Sequence, residues 1–183
     1  MESESLIEWG LEIPRDYIVG RRVSMKYENY EIRMLKKEEE DVLGDFLYEA
    51  IFQKDDSNPA PRDIIYKPEL KVYIENFGQE DDNCLVAEYE GQIVGAVWTR
   101  IIKGYGSVDD KTPELAISLY KEYRGKGIGT NMMLEMLEVL KEKGYHQASL
   151  SVQKDNYASQ LYIKVGFEVV KELEDEYVMV YKI

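Results

Sequence analysis

The sequence is poor in cysteine and in positive charge. Its one cysteine, Cys84, cannot form an internal disulfide, and the strand-like pattern around it predicts a small core residue. Lys and Arg number 23 against 36 Asp and Glu, which gives a formal net charge of −13. This excess of negative charge argues against general nucleic-acid binding and favours the approach of cationic small molecules.

Long apolar runs are also absent from the sequence. No run approaches the roughly 20 residues that a membrane-spanning helix needs, and the amino terminus lacks a basic, apolar export signal. We therefore expect a cytoplasmic protein that does not bind membranes. A length of 183 residues, with 44% hydrophobic and 32% charged residues, predicts one soluble globular domain with a substantial core.

The strongest local pattern is a strand followed by a glycine-rich turn and a helix. Apolar residues alternate with small or polar ones over 115–120, the period of a strand with one buried face. From Ile128 to Leu140, apolar residues recur at helical spacing, with charged residues on the opposite face. The segment Arg124-Gly125-Lys126-Gly127-Ile128-Gly129-Thr130 therefore lies where a strand turns into a helix.

This glycine-rich segment has the chemistry of a pyrophosphate-binding turn. Glycine has no Cβ, so the backbone can turn tightly and approach a ligand closely. The helix start offers unpaired N–H groups and the positive end of its dipole, and Arg124 and Lys126 add positive charge. The spacing matches neither a Walker P-loop nor the Rossmann G-x-G-x-x-G pattern. A glycine-rich turn without a ligand is the alternative interpretation.

The whole chain has the pattern of an α/β fold with a mixed sheet, in the order β-α-α-β-β-β-α-β-α-β-β. We expect strands or hairpins at 30–35, 85–102, 148–152 and 168–183 around the central unit, and helices at 37–52, 69–77 and 157–165. Loops are predicted at 53–68 and 103–110. Residues 1–24 have no sustained period and are predicted to be an extension, a packed arm or a tail, before a domain at 25–183.

Two motifs in this order resemble those of the GNAT N-acetyltransferases. Arg124 to Gly129 matches the family's Arg-x-x-Gly-x-Gly loop between strand and helix. The helix after Asn156 ends in Gly166-Phe167 as the family's does, with one residue fewer between Asn156 and Tyr162 than many members have. The resemblance covers about Tyr30 to Ile183. It implies a single-domain GNAT-like fold, a mixed central sheet flanked by helices.

The resemblance implies acetyl-coenzyme A as co-substrate and no metal. By analogy, the pantetheine arm pairs like an added strand with the backbone of Leu119 and Tyr120, where the central sheet opens. Asn156 is expected to contact the middle of the cofactor, and Ser159 is assigned to the same binding site. The glycine-rich segment is expected to hold the pyrophosphate through Arg124, Gly125, Lys126, Gly127, Ile128, Gly129 and Thr130.

Direct transfer of the acetyl group to an amine, in a ternary complex, is the implied reaction. An amine attacks only when it is neutral, so a base must take its proton. Glu114, at the start of the central strand, is the predicted base, and the Leu119 backbone N–H is the predicted donor to the oxyanion. Tyr162 is expected to protonate the leaving thiolate. No covalent acyl-enzyme is required, and neither His146 nor Cys84 suggests one.

Alternatives stay open for each side chain. Tyr162 is one of 15 tyrosines, so an ordinary core aromatic is the other interpretation. Asn156 also fits a simple N-cap, and Glu114 fits a solvated residue that follows a proline. The alternative function is a non-catalytic acyl-coenzyme A-binding or sensor module. A longer acyl donor is a further option.

The acceptor amine is expected between the 53–68 and 103–110 loops, since such loops commonly carry binding residues. Carboxylates in them favour a cationic small molecule or peptide over an anionic acceptor: Asp55, Asp56, Asp63, Asp109 and Asp110. The amine of a small molecule, a peptide terminus and a lysine side chain all stay open. So does a homodimer.

Overall fold

The computed structural model describes residues 25–27, 29–53 and 57–183, so the predicted extension at 1–24 lies outside the described residues. Asp55 and Asp56 lie outside them too. None of the helices within these ranges is long and apolar enough to cross a membrane. The elements are β1 (Met25–Lys26), β2 (Glu31–Met34), α1 (Val42–Ala50), α2 (Pro68–Lys71), β3 (Asn83–Tyr89), β4 (Gln92–Arg100), β5 (Glu114–Leu119), α3 (Ile128–Glu142), β6 (Gln147–Gln153), α4 (Ala158–Val165), β7 (Glu168–Glu172) and β8 (Glu176–Lys182).

From β2 onwards the order of elements is the predicted one, and β1 is an addition that pairs with β2. The strands form one mixed sheet in the order β1-β2-β3-β4-β5-β6-β8-β7. Only β5 and β6 run parallel among the described strands, and they pair at a single position, Glu114 opposite Ser149. Because β5 continues to Leu119 without pairing to β6, the sheet opens there. This confirms the predicted gap.

Side chains of β5 alternate between two apolar cores, one on each face of the sheet. Leu115 and Leu119 pack in the core that contains α3 and α4. Ala116 and Tyr120 pack in the core that contains α1. We call these the α3/α4 face and the α1 face. The alternation follows from the period of two in a strand, and it decides which side chains can meet at the gap.

The first helix begins later than the sequence predicts. A 3-10 turn at Lys37–Glu39 precedes α1, which begins at Val42. Glu39 closes this turn, since its carboxylate accepts hydrogen bonds from the Lys36 N–H at 3.0 Å and from the guanidinium of Arg33 at 2.8 Å. The turn therefore ties the helix start to β2.

The second helix is shorter than predicted, and the 53–68 loop contains a 3-10 segment at Arg62–Tyr66. Beyond Lys71 the chain continues in turns, because the buried Arg100 binds the carbonyl oxygens of Val72 at 2.9 Å and Glu75 at 2.8 Å. The same guanidinium pairs with Asp82 at 2.9 Å. These contacts hold the 72–76 segment against β4.

Candidate active site

A cavity of about 890 Å³ passes through the gap between β5 and β6. On the α1 face its wall includes Tyr48 and Ile51, and on the α3/α4 face it includes Leu161 and Tyr162. The end of β5, at Leu119, lies between these two walls. Since residues from both faces line one cavity, it crosses the sheet and offers two sides to a reaction.

The glycine-rich turn forms the mouth of this cavity at the start of α3. Gly125 and Gly127 have φ angles of 74° and 81°, which side chains rarely adopt, and a Cβ at either would meet nothing within 4 Å. Gly129 has a different role, because a Cβ there would lie 3.2 Å from Leu119 Cδ1. It therefore allows α3 to pack closely on β5. The first N–H groups of α3 have no acceptor within the helix.

Arg124 is turned towards the protein and not towards the mouth. Its Nε donates to the carbonyl oxygen of Leu119 at 2.8 Å, and its Nη2 lies 2.9 Å from Glu49 Oε2. Glu49 thus neutralises the charge that the sequence pattern assigns to phosphate. Lys126 stays at the surface, with Nζ 5.4 Å from the centre of the Tyr123 ring. Arg124 therefore bonds within the protein, whereas Lys126 leaves its charge at the surface beside the turn.

The backbone of β5 faces the gap at Leu119 but not at Tyr120. The Tyr120 N–H donates to Val94 of β4 at 3.0 Å, and its carbonyl oxygen accepts from the Tyr123 N–H at 3.0 Å. Because alternate residues of an antiparallel strand bond to opposite neighbours, Leu119 and Ile117 direct their N–H groups towards the gap. Both backbone groups of Tyr120 therefore bond within the protein and do not face the gap. Ile117, which the sequence prediction missed, directs its N–H to the same edge as Leu119.

Asn156 caps α4, which begins at Ala158. Its Oδ1 accepts from the Ala158 N–H at 2.9 Å, and its carbonyl oxygen accepts from the Ser159 N–H at 3.1 Å. The side chain of Asn156 also lines the cavity, whereas Ser159 is buried behind it. Asn156 can therefore cap the helix and still face a ligand.

Tyr162 lies on the cavity wall and also packs in the core. Its side chain is 8% exposed, and its ring centre is 6.1 Å from that of Phe167. The hydroxyl makes no hydrogen bond in the part of the chain that the structure describes. Burial raises the pKa of the Tyr162 phenol, and nearby Tyr157 adds to the rise. The hydroxyl is therefore protonated at neutral pH and is available as a donor in the cavity.

Glu114 is buried at the start of β5, which rules out the solvated alternative. It is 2% exposed, and its Oε1 accepts from the Tyr73 hydroxyl and from the Gly106 N–H at 2.7 Å. Burial raises the pKa of its carboxyl group, although hydrogen bonds from Tyr73 and the loop act in the opposite direction. It lies on the α1 face, about 16 Å along the strand from Leu119 at about 3.3 Å per residue, and does not line the cavity.

The structure thus brings together most of the predicted site residues. Eight of them line the cavity: Leu119, Arg124, Gly125, Gly127, Gly129, Thr130, Asn156 and Tyr162. Five do not: Glu114, Tyr120, Lys126, Ile128 and Ser159. The side chain of Ile128 belongs to the core, although its N–H opens α3. Sequence analysis missed Tyr48, Glu49 and Arg62 on the α1 face, where helical periodicity marks only the buried side of the helix.

Of the predicted loop carboxylates, the three that the structure describes, Asp63, Asp109 and Asp110, do not line the cavity. Asp63 and Asp110 are exposed. Asp109 holds a turn, since its Oδ1 accepts from the Lys111 N–H at 2.8 Å and the Thr112 N–H at 2.7 Å, which lowers the pKa of its carboxyl group. The described carboxylate at the cavity wall is instead Glu49, which is paired with Arg124.

Comparisons with known proteins all point to one family. Residues 47–167, more than half of the chain, match the model of the Acetyltransferase (GNAT) family. An N-alpha-acetyltransferase of Sulfurisphaera tokodaii is 30% identical over 113 residues, which is 57% of this chain and 68% of that protein. The uncharacterized N-acetyltransferase YobR of Bacillus subtilis is 34% identical over 86 residues, 46% of this chain and 32% of that protein.

Solved structures show the same fold. The PaiA N-acetyltransferase of Thermoplasma acidophilum, in complex with coenzyme A, has a TM-score of 0.62 and 24% identity, with 84% of this chain and 99% of that chain covered. The α/β architecture, the opened sheet and the glycine-rich helix start agree with the family match over the region that contains them. The chain therefore belongs to the GNAT family and is an N-acetyltransferase.

Proposed function

We propose that the chain transfers the acetyl group of acetyl-coenzyme A directly to an amine while both substrates are bound. The observation that carries this proposal is one cavity that joins the glycine-rich turn at the start of α3 to the gap beside Leu119 and Tyr162. A ligand with a pyrophosphate at one end and a reactive thioester at the other suits such a path. The two faces of the sheet then give donor and acceptor separate approaches.

The turn fits the pyrophosphate of coenzyme A. At Gly125 and Gly127 a side chain would project into the open space where the phosphates would bind, so glycine keeps that space free. The N–H groups of Ile128, Gly129 and Thr130 lie in the first turn of α3, where the helix dipole favours an anion. We assign Arg124 to support of the turn and Lys126 to charge at its mouth.

The edge of β5 fits the pantetheine arm. The N–H groups of Leu119 and Ile117 and the carbonyl oxygen of Ile117 face the gap, so an extended chain can pair with them as an added strand. The Leu119 carbonyl oxygen already accepts from Arg124. Asn156 lines the same cavity from α4. This assignment replaces the Tyr120 backbone, whose groups are bonded within the protein, and it leaves Ser159 as support beneath Asn156.

The thioester supplies an activated acetyl group and a thiolate leaving group. The Leu119 N–H faces the gap and is suited to stabilise negative charge on the acetyl oxygen. Tyr162, held protonated by burial, is proposed to donate its proton to the thiolate. Glu114, whose pKa is raised by burial, is proposed as the base. Because it lies outside the cavity wall, it takes the amine proton through water.

The acceptor is proposed to be a cationic amine of a small molecule or peptide. The formal net charge of −13 favours the approach of such molecules. Among the relatives, the name of the Sulfurisphaera tokodaii protein supports the α-amine of a polypeptide. Direct attack needs this amine on the α1 face, opposite Tyr162, where Tyr48 and Ile51 line the cavity.

The test has two parts. Coenzyme A should raise the melting temperature of the full chain, because a ligand that binds only the folded state stabilises it. Incubation with acetyl-coenzyme A and a panel of peptides, polyamines and aminoglycosides should then release free thiol with at least one amine. A thermal shift without transfer to any amine would favour the non-catalytic binding module. The absence of a shift at millimolar coenzyme A would contradict the cofactor assignment.

A further inference from the structure

The two oxygens of the Glu114 carboxyl group have different surroundings. Oε1 accepts hydrogen bonds from the Tyr73 hydroxyl and from the Gly106 N–H. Oε2 is buried and has no hydrogen-bond partner among the described residues. The two oxygens of this carboxyl group are therefore not equivalent. The bond from Tyr73 to Oε1 is one cause of the difference.

The direction of the Tyr73 hydrogen bond can be assigned. The Tyr105 N–H donates to the Tyr73 oxygen at 2.9 Å, so the phenol accepts from the loop. Donation to Glu114 Oε1 is then the arrangement that gives the phenol's own proton an acceptor. The Gly106 N–H also donates to Oε1. With two donors directed at Oε1, a proton bound to the carboxyl group belongs on Oε2.

The position of Tyr73 is set by β4. Its carbonyl oxygen accepts from Trp98 Nε1 at 3.0 Å, and Tyr73 itself is 8% exposed. The neighbouring carbonyl groups of Val72 and Glu75 are bound by Arg100. The backbone of Tyr73 is thus fixed from the sheet, while its phenol oxygen also accepts from the Tyr105 N–H of the loop that covers Glu114.

That loop lies directly over Oε2. A Cβ built at Gly104 would be 2.6 Å from Glu114 Oε2, a separation that side chains do not adopt. Gly104 therefore lies against Oε2, and the same Cβ would also be 2.8 Å from Oε1 and against the Tyr73 hydroxyl.

We propose that Tyr73 is a positioning residue, which engages Glu114 Oε1 and leaves Oε2 as the atom that takes the proton of the acceptor amine. This inference rests on the proposed function. The step is the net transfer of one proton along a chain of water molecules: the ammonium loses a proton, its nitrogen keeps the electron pair and becomes the nucleophile, and the carboxylate becomes a carboxylic acid with the proton on Oε2.

Several groups around Glu114 influence its titration. Burial has the largest effect and raises the pKa of the carboxyl group, and the charge of Glu176 on β8 adds to this rise. Hydrogen bonds from Tyr73 and Gly106 lower it, and so does the nearby backbone of Gly104. The Tyr105 N–H bonds to Tyr73 from the loop, and burial, followed by the charges of Glu69 and Glu176, raises the pKa of the Tyr105 phenol. Since the Tyr73 hydroxyl stabilises the carboxylate, its removal should raise the pKa of Glu114.

A carbon-13 NMR titration of the glutamate side chains tests this in the full chain, with Glu114→Gln identifying the resonance. In Tyr73→Phe we expect the pKa of Glu114 to rise by about one unit, the shift that matches one hydrogen bond to a charged group. Tyr105→Phe is the matched control, because it removes a neighbouring hydroxyl but keeps the backbone donor to Tyr73. It should leave the pKa of Glu114 unchanged. An unchanged pKa in Tyr73→Phe would overturn the inference.

The wild type offers a second test that needs no variant. The Gly106 amide proton should shift with the same pKa as the Glu114 carboxyl group and stay hydrogen-bonded in both states. Loss of that bond on protonation would place the proton on Oε1 and would also overturn the inference.

The pH dependence of acetyl transfer then tests whether the pKa of Glu114 controls catalysis. In Tyr73→Phe the acid limb of kcat/KM should move to higher pH by the same amount, with about tenfold loss below the limb and little loss above it. A uniform loss at every pH would indicate a structural role only and would contradict the inference. A wild type that acetylates no amine contradicts the proposed function instead, whereas the NMR titrations report on Tyr73 without turnover.

Discussion

Arg124 donates from Nε to the carbonyl oxygen of Leu119 at 2.8 Å, so the first residue of the glycine-rich motif points back to β5. Its Nη2 lies 2.9 Å from Glu49 Oε2 at the end of α1. Three parts of the cavity wall, the turn, the strand end and the helix, are thereby joined by one guanidinium. The fork of Arg can make both contacts at once, which the single ammonium of Lys cannot reproduce.

We predict that Arg124→Lys lowers the free energy of unfolding by about 1–3 kcal/mol, the range for hydrogen bonds to charged groups. Coenzyme A affinity should fall as well, since the turn loses its support. Urea unfolding and calorimetric titration measure the two effects. Arg62→Lys is the control, because its ion pair with Asp45 is exposed and contributes about 0–1 kcal/mol. Equal losses in both variants would show that Arg124 holds nothing beyond a surface pair.

Local patterns were sufficient to predict most of the fold. The alternation in β5 and the helical spacing in α3 depend on burial of one face, so a short window of sequence contains them. The turn between them follows from glycine at Gly125 and Gly127, where the φ angles are positive. The boundaries of α1 and α2 were wrong, because Glu39 and Arg100 bind groups on other elements.

The site chemistry was less accessible to sequence analysis. Tyr73 meets Glu114 across 41 residues, and no periodic pattern relates them. The pairing of Arg124 with Glu49 spans 75 residues. Tyr120 was assigned to the cofactor by analogy, whereas the hydrogen-bond register with β4 decides which backbone groups face the gap. Such contacts depend on the packed sheet and not on local sequence.

The glycine-rich turn gives the second prediction. Gly127→Val should abolish the rise in melting temperature with coenzyme A, because its side chain would enter the space proposed for the phosphates. Gly91→Val is matched to it: Gly91 has a φ angle of 80°, and a Cβ there also meets nothing within 4 Å. Both variants carry a similar backbone cost of about 1–2 kcal/mol. If both variants lost the rise in melting temperature with coenzyme A, the loss would come from lower stability and not from a blocked phosphate site.

The third prediction concerns the dependence of stability on pH. The pKa of Glu114 is raised above its ordinary value of 4.5, so the folded state favours the protonated carboxyl group. This contribution is complete below the unfolded pKa and is lost as pH rises through the folded pKa. Glu114→Gln has no such titration. Relative to the variant, the wild type should therefore become less stable as pH rises above the ordinary value of 4.5 and through the raised pKa of the folded state, measured by urea unfolding. A difference that does not change with pH would contradict the raised pKa.

Tyr162 gives the last prediction, which separates proton donation from packing. The ring packs near Phe167, and Tyr162 lines the cavity together with Leu119. Burial keeps the phenol protonated, so it can donate as the carbon–sulfur bond breaks. Phenylalanine at this position keeps the ring and its contacts and removes the proton. The loss should therefore appear in turnover and not in folding.

We predict that Tyr162→Phe keeps the wild-type melting temperature and coenzyme A affinity to within small changes, and that kcat falls on the order of 10²-fold, the scale for one general acid. Tyr157→Phe is the matched control, because Tyr157 lines the same cavity just before α4 but is 67% exposed. It should keep kcat. Wild-type turnover in Tyr162→Phe would mean that solvent protonates the thiolate. A joint loss of affinity and turnover would mean that the hydroxyl holds the cofactor, since a general acid acts only after binding.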